Sequence, residues 1–362
     1  MNPSSTWSHL LTAYGPDGDA GQAHRLASEL NAEGAYHAAA VAWDRAYGLD
    51  PDNLEVRNQR AALLNTLAVD VYGLRFRYIP AGTFVMGSSS GDLDEAPIHA
   101  VQLDPYWLQE APITWDDFVR IQGWDTASKE PPEEQAPKGG DRFPLFHLHE
   151  ANKIRRYYCG DDVEEDEEDA DAAPRSFYIE RSYTTKPMVS VGWQDMVYLA
   201  LAIEDACDKV TVDLPTEAEW ERGARGGLIG RRYPWGDDPP TPERADFDHF
   251  GDFTLRPPRQ LPPNGYGLYG MAGGVWEWCS DWYDAEAYAR RANQSVVRNP
   301  RGPQHGLYKV VRGGSWADCS AAMRVSFRNA LDSNSWRDRA WSGRFNPNVG
   351  ARLVLRPLER LI

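Results

Sequence analysis

The sequence predicts an α+β fold with little regular secondary structure, entered through a small N-terminal helical segment. Three observations carry that expectation. Apolar residues recur at three- and four-residue steps in residues 21–67, as on the buried face of a helix. Beyond about Ala68 the apolar pattern shortens to strand-like alternation among turn residues. The chain of 362 residues also holds 31 Gly and 26 Pro, breakers that long bundled helices do not tolerate in such number.

In the helical segment Leu26 and Leu30 sit one turn apart. In GAYHAAAVAWDRAYGLDPDN, residues Gly34, Tyr36, Ala39, Ala42, Trp43, Ala46 and Leu49 keep the helical step. Pro51 closes this helix, and Asp52 and Asn53 suit the cap of the next. The order of Gly, Tyr, Ala and Pro-Asp-Asn resembles one tetratricopeptide repeat. A solenoid groove needs several stacked repeats, so a helical cap packed on the main domain is expected here, over residues 1–68.

The following elements are short. RFRYIPAGTFVMGS alternates as a strand does, with Ile79, Phe84 and Met86 among turn residues, and HAVQLDPYWLQEAPIT reads as a strand pair. Thr114 opens a capped helix in TWDDFVRIQGW. Residues 125–186 are rich in Pro and charge and read as a long insertion, with the acidic run GDDVEEDEED (160–169) a solvated face rather than a cation site. PMVSVGWQDMVYLALAIEDA turns helical near Trp193. In LPTEAEWERGARGG, Thr216 caps a short helix with Glu219 in its first turn. Gly265 and Gly267 suit tight turns. Trp276 and Trp278 flank Glu277 as in a strand, which puts both indoles on one face, expected to be core.

Composition excludes several function classes. A net charge of −16 repels phosphate backbones and anionic lipid, so neither nucleic acid nor membrane is an expected partner. Cys159, Cys207, Cys279 and Cys319 form no CxxC pair and no metal-type spacing with His. No signal peptide and no apolar run of spanning length is legible, so a cytoplasmic location with reduced thiols is expected.

Eight phrases occur in order: IPAGTFVMGS, APITWDDF, PMVSVGWQD, LPTEAEWERGARGG, YPWGDD, PPNGYGLYGMAGGVWEWCSDWY, VVRGGSW and GARLVL. Together they resemble the formylglycine-generating enzyme family, or sulfatase-modifying-factor domain, over residues 72–356. The resemblance implies a C-type-lectin-like fold. It also implies chemistry: the family's enzymes convert a cysteine of a sulfatase to formylglycine with oxygen and copper. They use two cysteines five residues apart just after the GGS motif, soft thiolates that suit Cu(I). Those positions here are Asp318 and Met323, and Cys319 has no second cysteine after it. The iron-binding His cluster of the related ergothioneine-type sulfoxide synthases is likewise missing, since the His residues, including His147 and His149, are scattered. Of the family's structural calcium ligands, an Asn is replaced by Gly274; Asp246 and Asp252 are oxygen donors for another such site, but exposed loop carboxylates are the commoner explanation. The expectation is therefore a chain that is not an enzyme, with no catalytic residue, no metal ligand and no cofactor. The alternative is a divergent metal-dependent oxidase of the family.

The C-terminal stretch then needs a different role. GGSWADCSAAMRVSFRNALDSNSWRDRAWSGRFNPNVGARL, from Gly313 to Leu353, interleaves Trp and Arg with Ser and Asn and shows neither a helical nor a strand period. Trp and Arg are enriched at binding hot spots, and Ser, Asn and Gly supply adaptable hydrogen bonds. The layout resembles the variable proteins of diversity-generating retroelements, in which a lectin-like scaffold ends in a rewritten ligand-binding segment. Asp318, Ser320, Asn334, Trp336, Arg337, Arg339, Trp341 and Arg344 are expected to face solvent as a ligand-binding surface (about residues 317–347), with Arg324, Arg328, Gly350 and Arg352 beneath as supports. The expected partner is a protein or other macromolecule.

Overall fold

The structure is a computed structural model that describes residues 19–122, 185–189, 191–205, 210–249, 255–333 and 348–358. It opens with helices α1 (Ala20–Ala32), α2 (Tyr36–Leu49) and α3 (Leu54–Thr66). Local chemistry fixes their starts. The Asp19 carboxylate accepts from the Gly21 N–H, and Asn53 accepts from Glu55 and Val56, donors that have no partner inside a helix. In α2 the run Ala39–Trp43 is buried on all sides. The helix is thus wedged between neighbours rather than laid on a surface.

Three sheets follow. The first has the order β1 (Val69–Val71), β2 (Leu74–Ile79), β5 (Tyr106–Gln109), β12 (Val354–Pro357), β6 (Val210–Asp213), with antiparallel neighbours throughout. The last strand therefore closes between two early ones. The second runs β10 (Asn329–Asp332), β9 (Tyr308–Arg312), β7 (Trp276–Trp282), β11 (Val349–Gly350), with β11 parallel to β7. The third is β3 (Gly82–Met86), β4 (His99–Leu103), β8 (Val297–Arg298). Between the strands lie α4 (Trp115–Ile121), α5 (Trp193–Glu204), α6 (Glu217–Arg225) and α7 (Ala287–Arg291). Thr114 and Thr216 close capping boxes at α4 and α6, as the sequence led us to expect, and the whole is the expected α+β arrangement with irregular connections.

Trp115, Trp220, Trp278 and Trp316 are fully buried and fill the core. Trp276 and Trp278 are both buried, but so is Glu277 between them. Strand β7 therefore has two interior faces rather than one, and the charged residue needs an internal partner.

One buried cation lies where the N-terminal helices meet the rest of the chain. The Arg60 guanidinium of α3 lies between the rings of Tyr47 and Tyr266, 4.4 and 4.6 Å from their centroids. It donates to Asp44 of α2 and to the carbonyls of Gly226 and Gly265, and the Tyr266 hydroxyl donates to Asp44 at 2.9 Å. Two glycines permit this approach. Gly226 ends α6 with φ +62°, and a Cβ on Gly265 would lie 2.4 Å from the Gly226 carbonyl.

The acidic run 160–169, Cys159, Cys207, His147, His149 and Asp252 lie outside the described residues. No helix among the described residues is long and apolar enough to cross a membrane.

Candidate functional site

The segment after β9 makes a tight turn, Gly313-Gly314-Ser315-Trp316, with φ of +103° and +72° at its glycines. A Cβ on Gly314 would lie 2.4 Å from the Met323 methyl and 2.9 Å from the Ala322 carbonyl, so only glycine fits between the turn and the chain that returns beneath it. Neighbouring loops hold the turn from two sides. Gly273 donates to the Gly313 carbonyl and Trp316 to that of Gly274. From the other side Asp248 and His249 donate to the carbonyls of Asp318 and Trp316.

Asp318 takes part in this lock rather than facing outward. Its carboxylate accepts from the Ser315 N–H at 3.0 Å and from the Ser315 hydroxyl, which in turn accepts from Asn348 at 3.0 Å. Burial pushes the Asp318 carboxyl above its ordinary value, against the Ser315 bonds that favour its charged form. The expectation of a solvent-facing Asp318 is thus corrected: a carboxylate three residues after a serine folds back on it, as in a helix cap. Cys319 and Ser320 come next and are exposed, and Cys319 is a free thiol. Met323 is buried again. Asn334, Trp336, Arg337, Arg339, Trp341 and Arg344 lie outside the described residues.

Beneath the turn lie buried arginines, each answered by a glutamate from a distant part of the chain. Arg312 pairs with Glu221 and donates to the Val325 and Ser326 carbonyls. Arg324 reaches Glu95 at 2.7 Å and Asp92 at 3.3 Å. Arg328 binds Glu217 at 2.6 Å and the Asp94 carbonyl at 2.9 Å. Arg352 binds Glu277 at 2.6 Å, which supplies the partner that the buried Glu277 requires. Arg324, Arg328, Gly350 and Arg352, expected as supports, are all buried.

The sequence reading missed the source of these carboxylates. All nine residues of α6 are buried, and its Glu217, Glu219 and Glu221 each meet an arginine: Arg328, Arg356, and both Arg225 and Arg312. Burial pushes the Glu217 carboxyl up, but Arg328 and Arg312 outweigh it and hold it below its ordinary value. A legible signal existed. Three acids at alternate positions cannot share one solvent face of a helix, and four separated arginines later in the chain were available to them.

Could these residues hold the copper of the family's enzymes? A carboxylate committed to Ser315 and a thioether packed against Gly314 are not a pair of thiolates, so the donor set does not fit Cu(I). The reading of Asp246 as an exposed loop carboxylate is also corrected. Asp246 is buried and accepts from the Arg256 guanidinium at 2.9 Å and from the Arg256 N–H at 3.0 Å, while the same guanidinium donates to the Pro242 and Ala245 carbonyls. A side-chain cation already serves these oxygens. Among the described residues no group of three or more His, Cys, Asp or Glu is placed to hold a metal ion.

Residues 75–356 match the family described as the sulfatase-modifying factor enzyme 1-like domain. The formylglycine-generating enzyme of Streptomyces coelicolor is 34% identical over 299 residues, which span 72% of this chain and 84% of that one. A serine/threonine-protein kinase, pkn1 of Chlamydia pneumoniae, is 33% identical over 253 residues. The match takes in 69% of this chain but only 34% of the kinase, so this chain spans about a third of that relative's length. Among solved structures, Treponema denticola variable protein 1 shares the fold, with a TM-score of 0.54 at 18% identity over 80% of this chain and 98% of that one. These findings correct the expectation that the chain is not an enzyme. Similarity over most of a formylglycine-generating enzyme groups it with enzymes, and replacing two thiols argues against one metal's chemistry, not against catalysis as such.

Proposed function

The chain belongs to the sulfatase-modifying factor enzyme 1-like family, and on that premise we propose that it binds a protein ligand at the surface after the GGSW turn, about residues 317–347, as the variable protein of a diversity-generating retroelement does. One observation carries the reading. At Cys319 and Ser320 the chain surfaces directly above a buried floor, where the turn is locked by Asp318 and the arginines are locked by glutamates from three separate elements. Side chains mounted on such a floor can be exchanged without disturbing it, because exposed substitutions usually change stability by about 0.5 kcal/mol or less. The fold shared with a variable protein supports this reading.

The test has a genetic and a protein arm. A nearby reverse transcriptase gene and a near-copy of the DNA encoding residues 317–347, with mismatches confined to template adenines, are the expected result. In the protein, replacing Ser320, Asn334, Trp336, Arg337, Arg339, Trp341 and Arg344 together should leave the melting temperature within about 2 °C. A photo-crosslinker at Ser320 identifies the ligand, and that protein, once purified, should bind the parent chain and not the replaced one. Unfolding of the replaced chain, or undiminished binding, overturns the proposal.

The identity to a formylglycine-generating enzyme favours a second reading, a divergent oxidase. The donor set, Asp318 and Met323, does not suit Cu(I), so such an oxidase would work without copper at these positions. Mass spectrometry of a sulfatase-type cysteine peptide incubated with the protein, oxygen and added metal tests it; turnover lost on Cys319→Ser would establish it.

A further inference from the structure

Beside the glutamates of the floor, three buried polar atoms meet no hydrogen-bond partner in the protein: His99 Nε2 of β4, Arg291 Nη1 of α7 and Asp281 Oδ1 of β7. Their residues are 5%, 8% and 4% exposed, so bulk solvent does not serve them. The packing draws the three side chains toward one place. The His99 ring stands edge-on to the Tyr288 ring at 4.7 Å, and the Arg291 guanidinium carbon is 6.0 Å from the centroid of that same ring. Arg291 Nη2 donates to the Arg301 carbonyl at 3.2 Å. The next residue, Gly302, lies against Asp281: a Cβ there would fall 2.9 Å from the Asp281 Cβ. The other Asp281 oxygen accepts from the Glu217 N–H at 3.0 Å. Electrostatics agree with this placement, since the charges of Arg291 and Glu217 act on both His99 and Asp281. Yet Arg291 Nη1 and Asp281 Oδ1 do not bond each other.

We propose that these three atoms form a binding site for one internal water molecule. The donor and acceptor pattern selects that ligand. The Pro97 carbonyl can only accept, so its 3.2 Å contact with His99 Nδ1 places the ring proton there and leaves Nε2 an acceptor. Burial disfavours a second proton on this ring. The ionised Asp281 Oδ1 is another acceptor, and Arg291 Nη1 is a donor. Two acceptors and one donor are the complement of water, which donates twice and accepts the third bond. A metal cation would be repelled by Arg291, an anion would meet Asp281 and Glu217, and an apolar molecule would leave all three atoms unpaired. Buried waters typically make about three bonds to polar groups that lack other partners. This one ties β4, α7 and β7 together at a point where no two side chains do so directly. It sits next to Glu217, which holds Arg328 at 2.6 Å.

A high-resolution crystal structure of the full chain, grown near pH 7.5 so that Asp281 is ionised, tests the proposal. One fully occupied water is expected within about 3.2 Å of His99 Nε2, Arg291 Nη1 and Asp281 Oδ1. Solution NMR gives a second reading. In histidine-labelled protein the His99 ring protons should show a nuclear Overhauser contact to water, with the sign of a long-lived bound molecule. That contact should be lost in Arg291→Met, which removes the donor and fills its place with an apolar side chain. Unchanged hydrogen-exchange protection in β7 and β9 shows that the variant is folded; if it does not fold, the density of the parent decides alone. Arg291 bonded directly to Asp281, no water common to the three atoms, or a contact that survives Arg291→Met overturns the site.

Discussion

Replacing Asp281 by Asn should change how stability depends on pH. Asp281 lies at the end of β7 and is buried. Its Oδ2 accepts from the Glu217 N–H at 3.0 Å, while its Oδ1 meets no hydrogen-bond donor of the protein. The charged groups around it are Glu217 and Glu219 of α6, Arg291 of α7 and Lys309 of β9. Burial first, and then the Glu217 charge, push its carboxyl from 3.8 up to about 6. The sign follows from linkage: the folded chain holds this proton more tightly than the unfolded chain does. Folding therefore loses stability as pH rises from about 4 to about 6, and the full loss persists above 6. At about 1.4 kcal/mol per pH unit the loss is about 3 kcal/mol, or about 5 °C in melting temperature for a chain of this size. An asparagine keeps the acceptor for Glu217 and cannot ionise. In urea titrations from pH 4 to 8, Asp281→Asn should gain on the parent by about 3 kcal/mol between the two ends. A constant offset from the amide would shift that difference without bending it. A difference that stays flat across the range refutes an uncharged Asp281 as the form the fold prefers.

Two other outcomes follow from the buried ion pairs. Arg312→Met should lower unfolding free energy by about 3–5 kcal/mol in urea, because Glu221 loses a charge partner and the Val325 and Ser326 carbonyls lose a donor. Adding Glu221→Gln should recover part of the loss, and a double variant no better than the single one counts against the pair. Arg60→Ala should speed hydrogen exchange in α1–α3 well before it affects β7 and β9; uniform loss of protection instead would mean that the helices and sheets open as one unit.

Much of the fold was legible because its signals are local. Thr114, Thr216 and Asn53 announce helix starts through the donors they satisfy within three residues, and the alternation in β3 and β4 is visible over five. The floor of the site was not legible for the opposite reason. Glu221 and Arg312 are 91 residues apart, and Arg324 and Glu95 are 229 apart, so nothing in either neighbourhood marks them as partners. In isolation, the acids of α6 look like ordinary surface charges. Asp318 misled in a similar way. It stood in a stretch with neither a helical nor a strand period, which suggested an exposed group, while the serine that captures it lies three residues earlier.

The cation–π sandwich at Arg60 has a practical consequence for anyone who trims this protein. The family match begins at residue 75, which invites expression of residues 75–356 alone. That fragment would lack β1, the edge strand beside β2, and would strip the Gly226 and Gly265 carbonyls of their donor. The Tyr266 hydroxyl would lose Asp44, and the Trp107 indole N–H would lose the Leu67 carbonyl it meets at 2.8 Å. Homology marks where relatives agree; the contacts that complete residues 75–356 reach back into α2, α3 and β1.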